Sequence, residues 1–164
     1  MDIEILLAGI DRAFDRKSWH GPNLRGSLRG VDIKTAAWRP APGKHNIWEI
    51  VLHAAYWKYV AKRRLTGEKR GSFPLKGSNF FQRPLADSDD ASQLRSDVAL
   101  LTDMHRDLRT AIEALGPTDL SKPAPGGSET ILDLVLGIAA HDLYHAGQMQ
   151  LLKRLQQTSD RKRA

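Results

Sequence analysis

Residues 141–148 read HDLYHAGQ, two histidines four apart in a run that otherwise has the apolar spacing of a helix. Written as heptads, the surrounding stripe is Ile131, Leu134, Ile138, His141, His145, Gln148, Leu152 and Leu155, apolar at both ends and polar in its middle. The pattern predicts a core-facing helix from about Thr130 to Gln157. Polar side chains on such a face need partners, because an unsatisfied polar group away from water is strongly unfavourable. Imidazoles at i and i+4 share one side of a helix with Cβ atoms about 6 Å apart, the spacing at which both reach a single ion.

A second interrupted stripe lies in WEIVLHAAYW, residues 48–57, where Ile50, His53, Trp57 and Val60 predict an inward face that again carries a histidine. This helix starts at Asn46, which together with Glu49 has the form of a capping box, and runs to about Leu65 with Gly67 near its C-cap. Three inward histidines from two helices could converge on one divalent ion and leave coordination positions open, as catalytic rather than structural sites do. On spacing alone the competing reading, histidines satisfied within the core, stays open. His20 and His45 fall in loops and His105 lies among charged neighbours, so none of these is read as a ligand. Around the candidate ligands, Glu49 would either orient His53 or close the capping box. Trp57 would line a pocket or the core, and Gln148 would hydrogen-bond a ligand or pack against the loop between the first two helices. Asp142 lies about 100° off the stripe and reads as a surface or loop-bonding residue, and Tyr144 as core.

Outward from these two helices, Ile3, Leu6, Leu7, Ile10 and Phe14 predict a first helix from about Asp2 to Arg16. Residues 17–45 form a connection with one short helix near Asp32 to Ala37. Val98, Leu101, Leu108, Ile112 and Leu115 predict a third long helix, capped by Ser88 or Asp89 and stopped at Gly116-Pro117. The connection over residues 67–88 is rich in Gly, Ser and Pro, carries Phe80 and Phe81 as exposed aromatics, and is too long for a helical hairpin. A 20-residue helix is about 30 Å long, a span that such a segment crosses easily when extended. With no strand alternation and no repeat, the expectation is an all-α four-helix bundle with at least one crossover.

The chain has 164 residues, 41% hydrophobic and 27% charged, which suits a single domain over residues 1–164. No apolar run approaches the roughly 20 residues a membrane span needs, and the acidic, amphipathic start MDIEILLAGIDRAFDR is unlike a signal peptide, so a cytoplasmic protein with no membrane partner is expected. The absence of cysteine removes disulfides, thiolate ligands and a cysteine nucleophile together. The net charge of +6 is dispersed, with small clusters at Lys62–Arg64 and Arg161–Arg163, and lacks the one-sided concentration of a nucleic-acid binder. An all-nitrogen ligand set suits zinc or nickel first, then iron or cobalt.

WEIVLHAAYW and HDLYHAGQMQLLKR resemble the DinB-like (damage-inducible) family of metal-binding four-helix bundles, and SWHGPNLRGSL, AAWRPAPGKHNIWE and RRLTGE fit the same family. The resemblance implies that His53, His141 and His145 bind one divalent metal ion. It also implies an up-down-down-up bundle with its crossover between the second and third long helices, and a homodimer. Some relatives are thiol-dependent transferases, so a low-molecular-weight thiol is the implied cosubstrate, with no catalytic residue assigned. The alternatives are a non-catalytic bundle that binds metal or a small ligand, and a metal-dependent hydrolase. A relaxed zincin reading of HDLYH is disfavoured, because Asp142 is one methylene shorter than the base that motif uses.

Overall fold

A computed structural model describes residues 2–83 and 90–162. These form six helices and no strand: α1 (Ile3–Phe14), α2 (Leu24–Ser27), α3 (Ile33–Ala37), α4 (Ile47–Thr66), α5 (Asp90–Glu113) and α6 (Ile131–Arg161). The all-helical class expected from the periodicity is present, with α1, α4, α5 and α6 as its long members. No helix among the described residues is long and apolar enough to cross a membrane. Ser88 and Asp89, the expected caps of α5, and Arg163 of the basic tail lie outside the described residues.

Local chemistry sets the helix ends. Asp2 accepts from Glu4 N at 3.0 Å, and Asn46 accepts from Glu49 N at 2.8 Å, each satisfying an otherwise free amide of the first turn. Gly67 closes α4 in the left-handed region, φ 72°, where its N–H reaches Arg63 O. Thr130 and Asp133 form a reciprocal capping box at the start of α6. At α4 the box is half made, because the Glu49 carboxylate turns away from Asn46 to Arg39 and His45. The helix α2 has no counterpart in the sequence reading. It is a single turn containing Gly26, held by Asn23, which accepts from Gly26 N and donates to Arg16 O.

The long helices bury their apolar faces on one another. Leu6, Ile10, Leu108, Ile112, Val135 and Ile138 form one cluster, and Phe14, Val51, Ala55, Leu101 and Met149 another. In a third, Trp48 and Leu52 meet Phe81 and Leu94. Trp48 also donates to the buried Asp97 at 2.7 Å, and Arg83 grips the same carboxylate through Nε and Nη2, fixing the connection after α4 to α5. Phe81 is therefore core rather than exposed, packed beside Tyr56 and Phe73, and Phe80 is half-buried between two histidines.

The buried face of α6 differs from the expected stripe at every second position. It runs Ile131, Val135, Ile138, Asp142, His145, Met149, Leu152 and Gln156, so Leu134, His141, Gln148 and Leu155 stand one position off, at the edge of the core. Asp142, expected at the surface, is wholly buried, and Tyr144, expected in the core, is 63% exposed. The cause lies on α4: Lys58, also fully buried, meets Asp142 there, so an ionisable residue holds a core position that hydrophobicity assigns to its neighbours. Trp57 likewise faces outward instead of into the core. Burial raises the Asp142 pKa against the opposing pull of Lys58, whose Nζ also lies 5.0 Å from the Phe14 ring centroid. His105 is buried too, stacked on Phe14 at 3.7 Å, with its pKa depressed to about 3 by burial and then by Lys58 and Arg109.

Removing one partner of a buried ion pair leaves the other uncompensated and destabilises by about 3–5 kcal/mol, whereas replacing both by apolar groups of similar volume is close to neutral. Asp142→Leu alone is therefore expected to lower the urea-unfolding free energy by about that amount, and Lys58→Met/Asp142→Leu to recover most of it. A double variant as unstable as the sum of the singles would refute this account of the pair.

Candidate metal centre

His53 lies midway along α4, and His141 and His145 lie one turn apart on α6 facing it. Their Nε2 atoms converge: His53 to His141 is 3.1 Å and His145 to His141 is 3.0 Å. The three ligand atoms all fall within 4.8 Å of one another, a grouping that could hold a metal ion.

The opposite ring nitrogens explain why Nε2 is the outward atom. His53 Nδ1 donates to Asn79 O at 3.0 Å, and His145 Nδ1 donates to Gln148 Oε1 at 2.7 Å. In a neutral imidazole whose Nδ1 carries the proton, Nε2 presents a lone pair. The rings are held neutral. Burial depresses the His53 pKa to about 4, helped by His145, and the His141 pKa to about 3, helped by His145 and His53. His145 is lowered as well, burial outweighing the hydrogen bond to Gln148. His141 Nδ1 is buried without a partner. His141 Nε2 can carry at most one proton, so at least one of the two short contacts brings lone pairs together unless a cation lies between them. The donor set fits a divalent ion that takes nitrogen ligands.

The surroundings of the three rings come from two loops. Asn79 sits in the left-handed region at φ 69°, a conformation that asparagine tolerates better than most residues. There its carbonyl meets His53 while its side-chain Oδ1 accepts from Trp57 Nε1 at 3.1 Å. Phe80 lies flat between His53 and His45, with ring centroids 4.0 and 3.6 Å apart and planes within 12°. His45 in turn donates Nδ1 to Glu49 Oε2 at 2.9 Å, and Arg39 grips the same carboxylate through both terminal nitrogens. Burial alone would raise the Glu49 pKa, but the bonds from Arg39 and His45 outweigh it and hold the group ionised. Anchored in this way, the half-exposed His45 ring presents Nε2 away from Glu49, the arrangement of an imidazole able to accept a proton.

Of the residues singled out from sequence, the structure brings His53, His141, His145, Gln148 and Trp57 to one place. Glu49 stands one shell further out and reaches the rings only through His45 and Phe80. His20 is exposed on the loop after α1, and His105 packs on Phe14 away from the group. Arg39, His45, Asn79 and Phe80 carry no periodic signal, because loops place them; the Gly77-Ser78-Asn79 turn was the one local cue.

No curated protein and no solved structure matches the chain significantly. A family model described as the DinB superfamily matches residues 18–149, a span that runs from ahead of α2 into α6 and includes all three converging histidines. With most of its length and its candidate centre inside that match, the chain belongs to the DinB superfamily.

Proposed function

We propose that His53, His141 and His145 hold one divalent metal ion, zinc or nickel ahead of iron or cobalt, and that this centre serves a thiol-dependent transfer reaction. The observation that carries the reading is the convergence of three neutral Nε2 atoms, two of them fixed by Nδ1–H bonds to Asn79 and Gln148. The chain acts in this reading as one domain with an up-down-down-up bundle. The pairings His53–His145, Lys58–Asp142 and, just ahead of α6, Arg64–Glu129 support opposite directions for α4 and α6, and Asp11–Arg109 and Phe14–His105 do the same for α1 and α5.

An ion held by His53, His141 and His145 would lower the pKa of a thiol or water that it bound and so supply a nucleophile near neutral pH. The chain supplies the rest. Asn79 and Gln148 orient the ligand rings. His45, with Nδ1 committed to Glu49, takes the S–H proton at Nε2, and the sulfur electron pair forms the new bond to carbon as the leaving group departs with its own pair. Because the chain has no cysteine, the thiol in this reading comes from a small molecule. Hydrolysis by metal-bound water is the second reading, and a non-catalytic ligand-binding bundle the third.

His141→Ala is expected to abolish the binding of about one zinc ion per chain while helical circular dichroism persists, and Gln148→Ala to weaken affinity by about 10–100-fold. Full occupancy in His141→Ala would sink the site. Zinc-loaded protein is expected to accelerate conjugation of an electrophile to at least one cellular thiol, with the rate lost in His53→Ala. Cleavage of ester or amide substrates without any thiol-dependent rate would replace transfer by hydrolysis, and neither activity would leave the binding bundle.

We also propose that the chain forms a homodimer. Phe80 and Phe81 are satisfied within the chain, so the support comes from Ile5, Trp19 and Leu136, large apolar side chains left exposed. Sedimentation should then detect a species of twice 18.3 kDa at high micromolar concentration, and a monomer alone would refute it.

A further inference from the structure

The three imidazoles form part of the lining of a cavity of about 930 Å³, roomy enough for a small organic molecule. What surrounds them is mostly apolar. Trp57, Tyr144, Leu151 and Leu155 are 38%, 63%, 56% and 42% exposed, and all four border this one cavity together with Phe80. Single exposed apolar side chains are ordinary on a protein surface, but a group of them around one concavity marks a binding site.

Charge narrows the ligand further. No aspartate or glutamate lines the cavity among the described residues, and Lys44 is its one formal cation. Lys44 is exposed and has no ion-pair partner among the described residues. Glu49, which holds the cavity-lining His45, is buried and already neutralised by Arg39. A wall that combines apolar surface with an unopposed ammonium rejects cations and favours anions.

The geometry points to an organic anion with an apolar body, a ring or compact hydrocarbon skeleton bearing a carboxylate or sulfonate, as the ligand class of this cavity. The body packs on Trp57, Tyr144, Leu151 and Leu155, and the anionic group meets Lys44. As a statement about substrate it rests on the site proposed above being the reacting one, but the preference itself is measurable without an ion.

Two fluorescent probes test it: anilinonaphthalenesulfonate, and phenylnaphthylamine, which has the same ring body without the sulfonate. Both are titrated at low salt into metal-free and zinc-loaded protein. The sulfonate probe is expected to bind once per chain and several-fold tighter than the neutral one. Lys44→Gln should close that gap and leave the neutral probe unchanged, while Leu151→Ser, at an exposed helix position, should weaken both by about 10-fold with circular dichroism intact. Equal affinity for the two probes, or indifference to both substitutions, overturns the proposal. So does exclusion of probe at concentrations where the chain sediments as a dimer with admission only on dilution, since a second copy then covers the face. Probe preference in protein that binds no zinc upholds the cavity and removes the metal reading. Zinc binding with no preference does the reverse.

Discussion

The buried Lys58–Asp142 ion pair fixes the register between α4 and α6, and the histidine group depends on that register. Asp142 is adjacent to His141, and Lys58 lies five residues after His53. Sliding either helix by one turn, about 5.4 Å, would strand both charges in a water-free interior. Such separation is unfavourable by several kcal/mol, more than most single apolar contacts contribute, so one alignment of the two helices is selected. Phe14 extends the constraint to α1, its ring lying near Lys58 Nζ and stacked on His105 of α5.

Given that alignment, the loops complete the site. The connection before α4 delivers Arg39 and His45 to Glu49, and the connection after α4 delivers Asn79 and Phe80 to His53. The two segments meet in the flat stack of His45, Phe80 and His53, where face-to-face contact leaves little freedom for any of the three rings. Asn79 does two tasks from a single backbone conformation, because in the left-handed region its carbonyl and side chain point to His53 and Trp57 together. Arg83 on Asp97 ties the far end of the same connection to α5, so the segment carrying Asn79 and Phe80 is anchored at both sides.

Helix periodicity made most of this architecture legible. The bounds of α1 and α4, the start of α6, the caps at Asn46 and Gly67 and the short α3 follow from spacing and cap chemistry, whereas α6 runs on to Arg161, a turn past the expected Gln157; His53, His141 and His145 stand out as imidazoles interrupting apolar stripes. Two kinds of feature resisted. A one-turn helix such as α2 has no period to detect, and its stability comes from Asn23 bridging to Arg16 rather than from propensity. Loop residues such as His45 and Asn79 acquire their roles only when the chain folds back, since their partners are fixed by tertiary contact.

The misplaced face of α6 has a more instructive cause. Apolar content favours a stripe through His141, Gln148 and Leu155, whereas the buried stripe passes through Asp142, Met149 and Gln156. A partnered charge in the core is invisible to hydrophobicity, because its partner lies some eighty residues away in sequence. That difference of one position decides what the histidines can do. Three imidazoles in the middle of a packed core would be enclosed on every side and would serve structure. Carried to the edge of the core by Asp142, His141 and Gln148 stand between the packed interior and the cavity, so the same Nε2 atoms that are desolvated enough to stay neutral also border space that a small molecule can enter.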